Sequence, residues 1–276
     1  MEYLVLAAII VLLAVVFLLI KAYMLKPGKT TPLLEKMKEH KFAHRGLHGE
    51  EIAENSLSAF LAAKEAGFGI ELDVRLAKDG VLVVHHDDTL KRSAGIDGKV
   101  IDYTSEELSD IKIFGKDEGV PTFRQVLDAI DGSVPLLIEI KHDLGEGGVA
   151  ERLAVELEGY GGEYIVESFN PLALRKFRAL NPHVPIGILS MKYMEEEKYK
   201  GKLLYWLLQN LYMNFLARPD FIAYEKNGHD VKNLRRIRKQ YSTPLFAWVP
   251  KSEEEESAAI SQGFDTVIFE NYTPHG

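Results

Sequence analysis

His44-Arg45-Gly46, Glu54-Asn55-Ser56, Glu71-Leu72-Asp73 and His86-Asp87 follow one another within a short stretch of this chain. The histidines supply groups that exchange protons near neutral pH, and the arginine supplies a fork for phosphate oxygens. The carboxylates supply oxygen ligands for a hard cation. Together they are the inventory for metal-assisted hydrolysis of a phosphate ester, which needs charge neutralisation and proton transfer at once. Further along, Glu139 and Lys141 repeat the two-residue spacing of Glu71 and Asp73.

Residues two apart on a strand share one face. Ile70, Leu72 and Val74 alternate with Glu71 and Asp73, so this strand is expected to be buried rather than solvated. Buried like charges repel unless a cation joins them. Glu71, Asp73 and Glu139 are therefore the candidate ligands for Ca²⁺ or Mg²⁺, with zinc held by His44 and His86 as the alternative. His44 and His86 are the candidate general acid and base. Arg45 and Lys141 are candidates to hold phosphate, one as a fork and one as a point charge. His85 should point away from His86 along the strand. His48 falls in a loop, and His40, His142, His183, His229 and His275 have no supporting constellation. These histidines are assigned structural roles.

The segments that must position the site alternate strand-like and helix-like patterns. Strands are expected at residues 41–44, 68–74, 81–86, 135–141, 164–169, 185–189, 220–225, 245–250 and 266–270. Helices are expected at 56–66, 122–130, 149–157, 172–180, 230–240 and 253–262. Short apolar strands followed by helices argue for a parallel sheet covered on both faces. A closed (β/α)₈ TIM barrel fits, since its usual size is ~250 residues. The alternative, a doubly wound open sheet, lacks the glycine-rich phosphate loop it would carry after the first strand. Residues 88–119 are polar and turn-rich and read as a small insertion after the second barrel strand. In a barrel the catalytic groups collect at the C-terminal ends of strands, which is where His44, Arg45, His86 and Lys141 fall.

The chain has 276 residues, 46% of them hydrophobic, enough for one large α/β domain. Its formal net charge is -8, and without a basic run nucleic-acid binding is not expected. The absence of cysteine excludes disulfides, a cysteine-ligated zinc site and a thiol nucleophile. Residues 3–20 carry no charge, and a helix of about 20 apolar residues crosses a bilayer core. Residues 1–25 are read as a single-pass membrane helix, 26–40 as a linker with a juxtamembrane helix, and 41–276 as the catalytic domain. A cleaved signal peptide is the alternative, but no basic stretch precedes the apolar run and no Ala-x-Ala-like site follows it. Lys21, Lys26 and Lys29 follow the span and place the domain on the cytoplasmic face. The chain leaves no room for a full eighth barrel helix, and residues 31–40 are expected to cover that gap. Residues 201–216 are unusually apolar. They are read as a barrel helix with a wide buried stripe, or else as a segment dipping into the membrane interface.

The ordered motifs resemble those of the glycerophosphodiester phosphodiesterase family. The likeness rests on His44-Arg45-Gly46, Glu54-Asn55-Ser56-Leu57-Ser58-Ala59-Phe60 and Glu71-Leu72-Asp73-Val74. It continues through Lys78-Asp79-Gly80, His86-Asp87-Asp88-Thr89-Leu90-Lys91-Arg92, Glu139-Ile140-Lys141 and Ser168-Phe169. It implies a (β/α)₈ barrel with an insertion after the His-Asp motif, and hydrolysis of a phosphodiester to an alcohol and sn-glycerol 3-phosphate. By the same resemblance Glu71, Asp73 and Glu139 hold the divalent metal, and His44 and His86 move protons. Arg45 and Lys141 bind phosphate, and Glu54 supports the metal and histidine cluster on the substrate side. A substrate hydroxyl beside the phosphate would attack first, giving a cyclic phosphate that water opens. Trp248-Val249-Pro250-Lys251 departs from the family's Trp-Thr-Val-Asn, although Trp248 remains a candidate pocket wall. Glu270 stands where an aspartate is more typical. The implied partners are a glycerophosphodiester, or a lysophospholipid drawn from the membrane by a lysophospholipase D activity. A secreted phospholipase-D-type toxin is disfavoured by the absence of cysteine. A catalytically silent lipid-binding module is disfavoured by the completeness of the site.

Overall fold

Each strand of the sheet carries two alternating rows of side chains, one for the barrel interior and one for the surrounding helices. The strands are β1 (Phe42–Ala43), β2 (Gly69–Leu76), β3 (Leu82–Val84), β4 (Leu136–Ile140) and β5 (Tyr164–Ser168), then β6 (Ile186–Ser190), β7 (Phe221–Glu225), β8 (Leu245–Trp248) and β9 (Thr266–Phe269). The structure is a computed structural model that describes residues 1–141 and 147–275; His142 lies outside them. All strands but β3 are parallel, and β1 pairs with both β2 and β9, which closes the ring. This is the expected (β/α)₈ barrel, and the open-sheet alternative is excluded.

The helices are α1 (Glu2–Leu25), α2 (Pro32–Met37), α3 (Leu57–Glu65), α4 (Lys91–Ala94), α5 (Ser105–Asp110) and α6 (Phe123–Ile130). They continue with α7 (Val149–Glu156), α8 (Pro171–Leu180), α9 (Leu203–Gln209), α10 (Lys232–Tyr241) and α11 (Glu253–Ser261). Ser56 caps α3 by accepting from Ala59 N at 3.1 Å, and Thr122 and Gln125 cap α6 reciprocally. One row of strand residues, including Ile70, Leu72, Val74, Ile138, Val166, Ile222 and Phe269, joins the helices in the outer core. The other row fills the interior. Its lower layer is Phe42, Leu137, Ile165, Phe221, Phe246 and Ile268. Phe246 meets Phe42 at 5.9 Å and Phe221 at 4.8 Å between ring centroids. Gly187 makes this layer possible, since a Cβ there would fall 2.2 Å from the Phe221 ring.

Three expectations are revised. Residues 31–40 do not fill the place of an eighth helix. Leu34 and Met37 of α2 are fully buried and pack with the lower interior layer, so α2 plugs the N-terminal mouth of the barrel. The flank between β9 and α3 is covered instead by Tyr272 on Phe269, which meets Phe68 edge-on at 4.9 Å. Second, the strand near residues 81–86 is not a barrel strand. β3 pairs antiparallel with β2 and folds back along its end. Third, residues 201–216 are not one barrel helix with a wide buried stripe: α9 has no buried residue and ends at Gln209, and only Leu211 and Asn214 of the remainder are buried. The 88–119 insertion has more order than its composition suggested. Leu90, Val100, Leu108, Ile113 and Val120 form a small core of their own with Ala77 and Val83. Its helices are too short to show periodicity in sequence.

Candidate active site

Above the lower layer the same inward row turns polar. Gly69 gives way to Glu71 and Asp73, Leu137 to Glu139 and Lys141, Ile165 to Glu167, and Phe42 to His44. In register, Asp73 pairs with Glu139 and Glu139 with Glu167, which puts three acids in one ring of the barrel. One carboxylate oxygen from each of Glu71, Asp73 and Glu139 lies within 4.8 Å of the others, and all three residues are buried. An open cleft of about 580 Å³ sits over them, lined by His44, Arg45, Glu71, His86, Glu139, Lys141, Glu167, Phe169 and Trp248 among others. The structure thus gathers the sequence-predicted site residues at one mouth of the barrel, although two of them do not line the cleft itself: Asp73 lies in the acid cluster and Glu54 stands behind Arg45.

The β1–α3 turn is built to hold Arg45. Arg45 and Gly46 adopt left-handed backbone, φ 55° and 79°, and a Cβ on Gly46 would fall 2.8 Å from Ala59. Arg45 N donates to Glu71 Oε2 at 2.8 Å. Asn55 N donates to Arg45 O at 2.9 Å, and Asn55 Nδ2 donates to Asp73 Oδ2 at 2.7 Å. Glu54 accepts from Arg45 Nη1 at 2.9 Å and from both terminal nitrogens of Arg92. Glu54 therefore orients Arg45 rather than meeting the cleft itself.

His86 reaches the site by the hairpin. His85 N donates to Asp73 O at 3.0 Å, and Arg75 Nε and Nη2 both donate to His86 O. The antiparallel return thereby lowers His86 to the level of the acids. His85 turns the other way, with Ser93 Oγ at 2.9 Å from its Nε2. Both candidate proton-transfer groups have a carboxylate behind Nδ1. His44 faces Glu270 Oε2 at 3.3 Å, and His86 faces Asp87 Oδ1 at 2.6 Å. That arrangement leaves each Nε2 for the cleft. Glu270, Asp87 and Asn55 stood in the sequence motifs without an assigned role, and Glu167 was missed in sequence. Glu167 carried a readable signal, an acid in an apolar strand at the inward parity of Ile165 and Phe169. His48, read as a plain loop residue, lies 3.9 Å from Glu270 Oε1.

Burial pushes the His86 imidazole down to about 4, and burial also lowers His44, against its hydrogen bond to the Glu270 carboxylate. His86 is therefore neutral at pH 7, whereas Glu270 supports the protonated form of His44. Burial raises Glu71 well above the usual carboxylate range, with repulsion from Asp73 and Glu139 adding to it. Glu139 is pushed up to about 7, again chiefly by burial. Burial opposes ionisation of Asp73 too, but Lys141, His86 and Arg45 together hold it well below the usual range. Lys141 Nζ stands 2.7 Å from Glu139 Oε2 and 2.9 Å from Asp73 Oδ1. One lysine does not balance the group, because Glu167 is also buried beside it and raised. Glu167 Oε2 and Trp248 Nε1 are buried without a hydrogen-bond partner. An all-oxygen donor set with excess negative charge fits a hard divalent cation.

The family model for the glycerophosphoryl diester phosphodiesterase family matches residues 44–273. A glycerophosphodiester phosphodiesterase of Caldanaerobacter subterraneus is 33% identical over 245 residues, 84% of this chain and 94% of the relative. The crystal structure of a glycerophosphodiester phosphodiesterase from Thermotoga maritima is 30% identical, with a TM-score of 0.60 over 83% of this chain and 92% of that one. An Oleispira antarctica phosphodiesterase, solved with the product sn-glycerol-3-phosphate, shares the fold at 24% identity and a TM-score of 0.66, over 84% of this chain and 93% of that one. With the barrel, the ordered motifs and these likenesses in agreement, the chain belongs to the glycerophosphoryl diester phosphodiesterase family.

Proposed function

We propose that this chain hydrolyses glycerophosphodiesters to an alcohol and sn-glycerol 3-phosphate, with His44 and His86 moving the protons. The observation that carries the reading is the buried Glu71, Asp73 and Glu139 cluster with two carboxylate-backed histidines and Arg45 on the same cleft. The product bound by the Oleispira antarctica relative supports the same substrate class. Glu71, Asp73 and Glu139 would hold Ca²⁺ or Mg²⁺, which neutralises phosphate charge and lowers the pKa of an attacking oxygen. Arg45 and Lys141 orient the phosphate, and Trp248 with Phe169 (edge-on at 5.5 Å) walls the glycerol side. His86, neutral down to about pH 4, takes the proton from the attacking hydroxyl. His44, whose protonated form Glu270 favours, delivers one to the leaving alkoxide. Water then opens the resulting cyclic phosphate, giving its proton to the now neutral His44 while His86 returns the other to the ring oxygen, so that sn-glycerol 3-phosphate forms and both histidines are reset.

Glu270 is then a positioning residue with a measurable signature. Its hydrogen bond is the largest effect raising the His44 pKa. Glu270→Gln should let that pKa fall, so the alkaline limb of the kcat profile moves to lower pH. The loss in kcat should therefore deepen as pH rises through that limb and be small on its acid side. A profile of unchanged shape would reduce Glu270 to packing.

Residues 1–25 are proposed as the membrane anchor, 26–40 as the linker and 41–276 as the catalytic domain with its 88–119 insertion. Lys21, Lys26 and Lys29 favour a cytoplasmic domain. α1 has a mean hydropathy of 3.3 over its most apolar window, and none of that window is buried. An anchored enzyme favours a second reading, a lysophospholipase D acting on lysophospholipids. Product analysis tests both. Purified protein is given glycerophosphocholine, glycerophosphoethanolamine and their lysolipid counterparts, with Mg²⁺ or Ca²⁺ and then with chelator. Choline or ethanolamine release from soluble diesters alone supports the first reading, and release from lysolipids the second. No release from folded, metal-supplied protein overturns both.

A further inference from the structure

α1 does not leave the domain as a loose tether. Leu25 is 2% exposed. Arg218 Nη1 donates to Tyr23 O at 2.7 Å and to Lys26 O at 2.9 Å, and its guanidinium lies 4.4 Å from the Tyr23 ring. Beyond it, Gly28 N donates to Pro219 O and Lys29 N to Asp220 Oδ1. These contacts fix the helix at the edge of β7, so the direction of α1 sets how the barrel meets any bilayer that α1 crosses.

The level of that bilayer follows from length. Residues 2–20 are exposed throughout. At 1.5 Å per residue they rise about 28 Å, close to the ~30 Å of a hydrocarbon core. The boundary therefore falls near Lys21. Phe17, Ile20 and Met24, which straddle this boundary, share an apolar groove with Trp206, Leu207 and Tyr212. Phe17 stands four residues before Lys21, about one helical turn, so Trp206 lies within about a turn of the boundary. Leu203 is 69% exposed and Leu204 53%, and no protein covers them.

We propose that α9 is a second membrane-contacting element, seated in the lipid interface beside α1. This rests on the reading of α1 as an anchor. The chemistry of the segment matches the interface. Leu203, Leu204 and Trp206 present an apolar face, Tyr205 and Tyr212 stand at headgroup depth, and Lys202 and Lys21 lie over the rings of those two tyrosines. The seat is coupled to the cleft. Tyr224 Oη lies 3.0 Å from both Met191 O and Gln209 O, tying the end of α9 to the rim after β6, whose Leu189 lines the cleft. The mouth of the barrel thus opens beside lipid.

The test uses the full chain in phosphatidylcholine–phosphatidylglycerol vesicles. A Trp248→Phe background leaves Trp206 as the sole tryptophan, and lipids brominated near the glycerol end serve as quenchers. The expected result is blue-shifted Trp206 emission that brominated lipid largely removes. In a Leu203→Glu, Leu204→Glu variant the emission should shift back toward that of water-exposed indole, while the protein still resists alkaline extraction. Unquenched Trp206 in protein that resists extraction overturns the inference and leaves the anchor standing, whether α9 then faces water or a second copy. Protein extracted at high pH overturns the anchor and this inference with it.

Discussion

Alanine at His86 or at His44 should lower kcat by about 10²–10⁴-fold, the usual worth of a positioned acid or base. The fold should survive both changes. Neither ring belongs to a hydrophobic cluster, and each leaves its carboxylate partner compensated. Without His86, Asp87 still accepts from Arg92 Nε at 2.6 Å. Without His44, Glu270 keeps Lys251 at 3.5 Å and His48 at 3.9 Å. A large loss of activity without a large loss of Tm therefore separates chemistry from folding. The double variant should lose little more than the worse single, because the two groups act on one proton-transfer sequence. The check is choline release from glycerophosphocholine beside thermal unfolding. A single variant retaining wild-type kcat removes that histidine from the mechanism.

The parity of strand residues made most of this site legible in the sequence. Glu71 and Asp73 alternate with Ile70, Leu72 and Val74, and Glu139 and Lys141 with Ile138 and Ile140. In the folded chain the apolar members join the outer core and the charged ones face the axis. The same alternation held Glu167, between Val166 and Ser168, but one acid without a neighbouring pair draws no notice in a linear reading. His86 shows a different limit. It lines the cleft by a different route from the one expected, since local pattern reveals a strand but not whether it joins the ring or folds back on β2. Glu270 meets His44 only when β9 closes against β1, whereas Asp87 adjoins His86 in sequence and only the turn of its side chain onto Nδ1 was hidden. The plug formed by α2 was equally hidden. Leu34 and Met37 read as any short apolar stripe, and only barrel closure creates the mouth they fill.

The acids also give the proposed divalent site a signature independent of turnover. In metal-free protein Glu139 titrates at about 7, above its unfolded value near 4.3. A carboxylate raised by folding favours the folded state at low pH, and that advantage disappears as pH climbs from the unfolded value through the folded one. Metal-free Tm should therefore fall between about pH 4 and pH 8. Mg²⁺ or Ca²⁺ binding to the native state reverses the fall, by about 2.7 kcal/mol at a hundred times Kd. Glu139→Gln should flatten the metal-free profile and raise Tm at pH 8, because it removes a buried charge that only Lys141 compensates. The same variant should bind metal poorly and lose at least about 10²-fold in kcat, the scale of one lost electrostatic stabiliser. Stability and activity thus move in opposite directions for one substitution, which a purely structural ion cluster would not produce. If metal raises the Tm of wild type and Glu139→Gln equally, the ion sits elsewhere. If chelation leaves both Tm and turnover untouched, Lys141 rather than a cation is the counter-charge of the site.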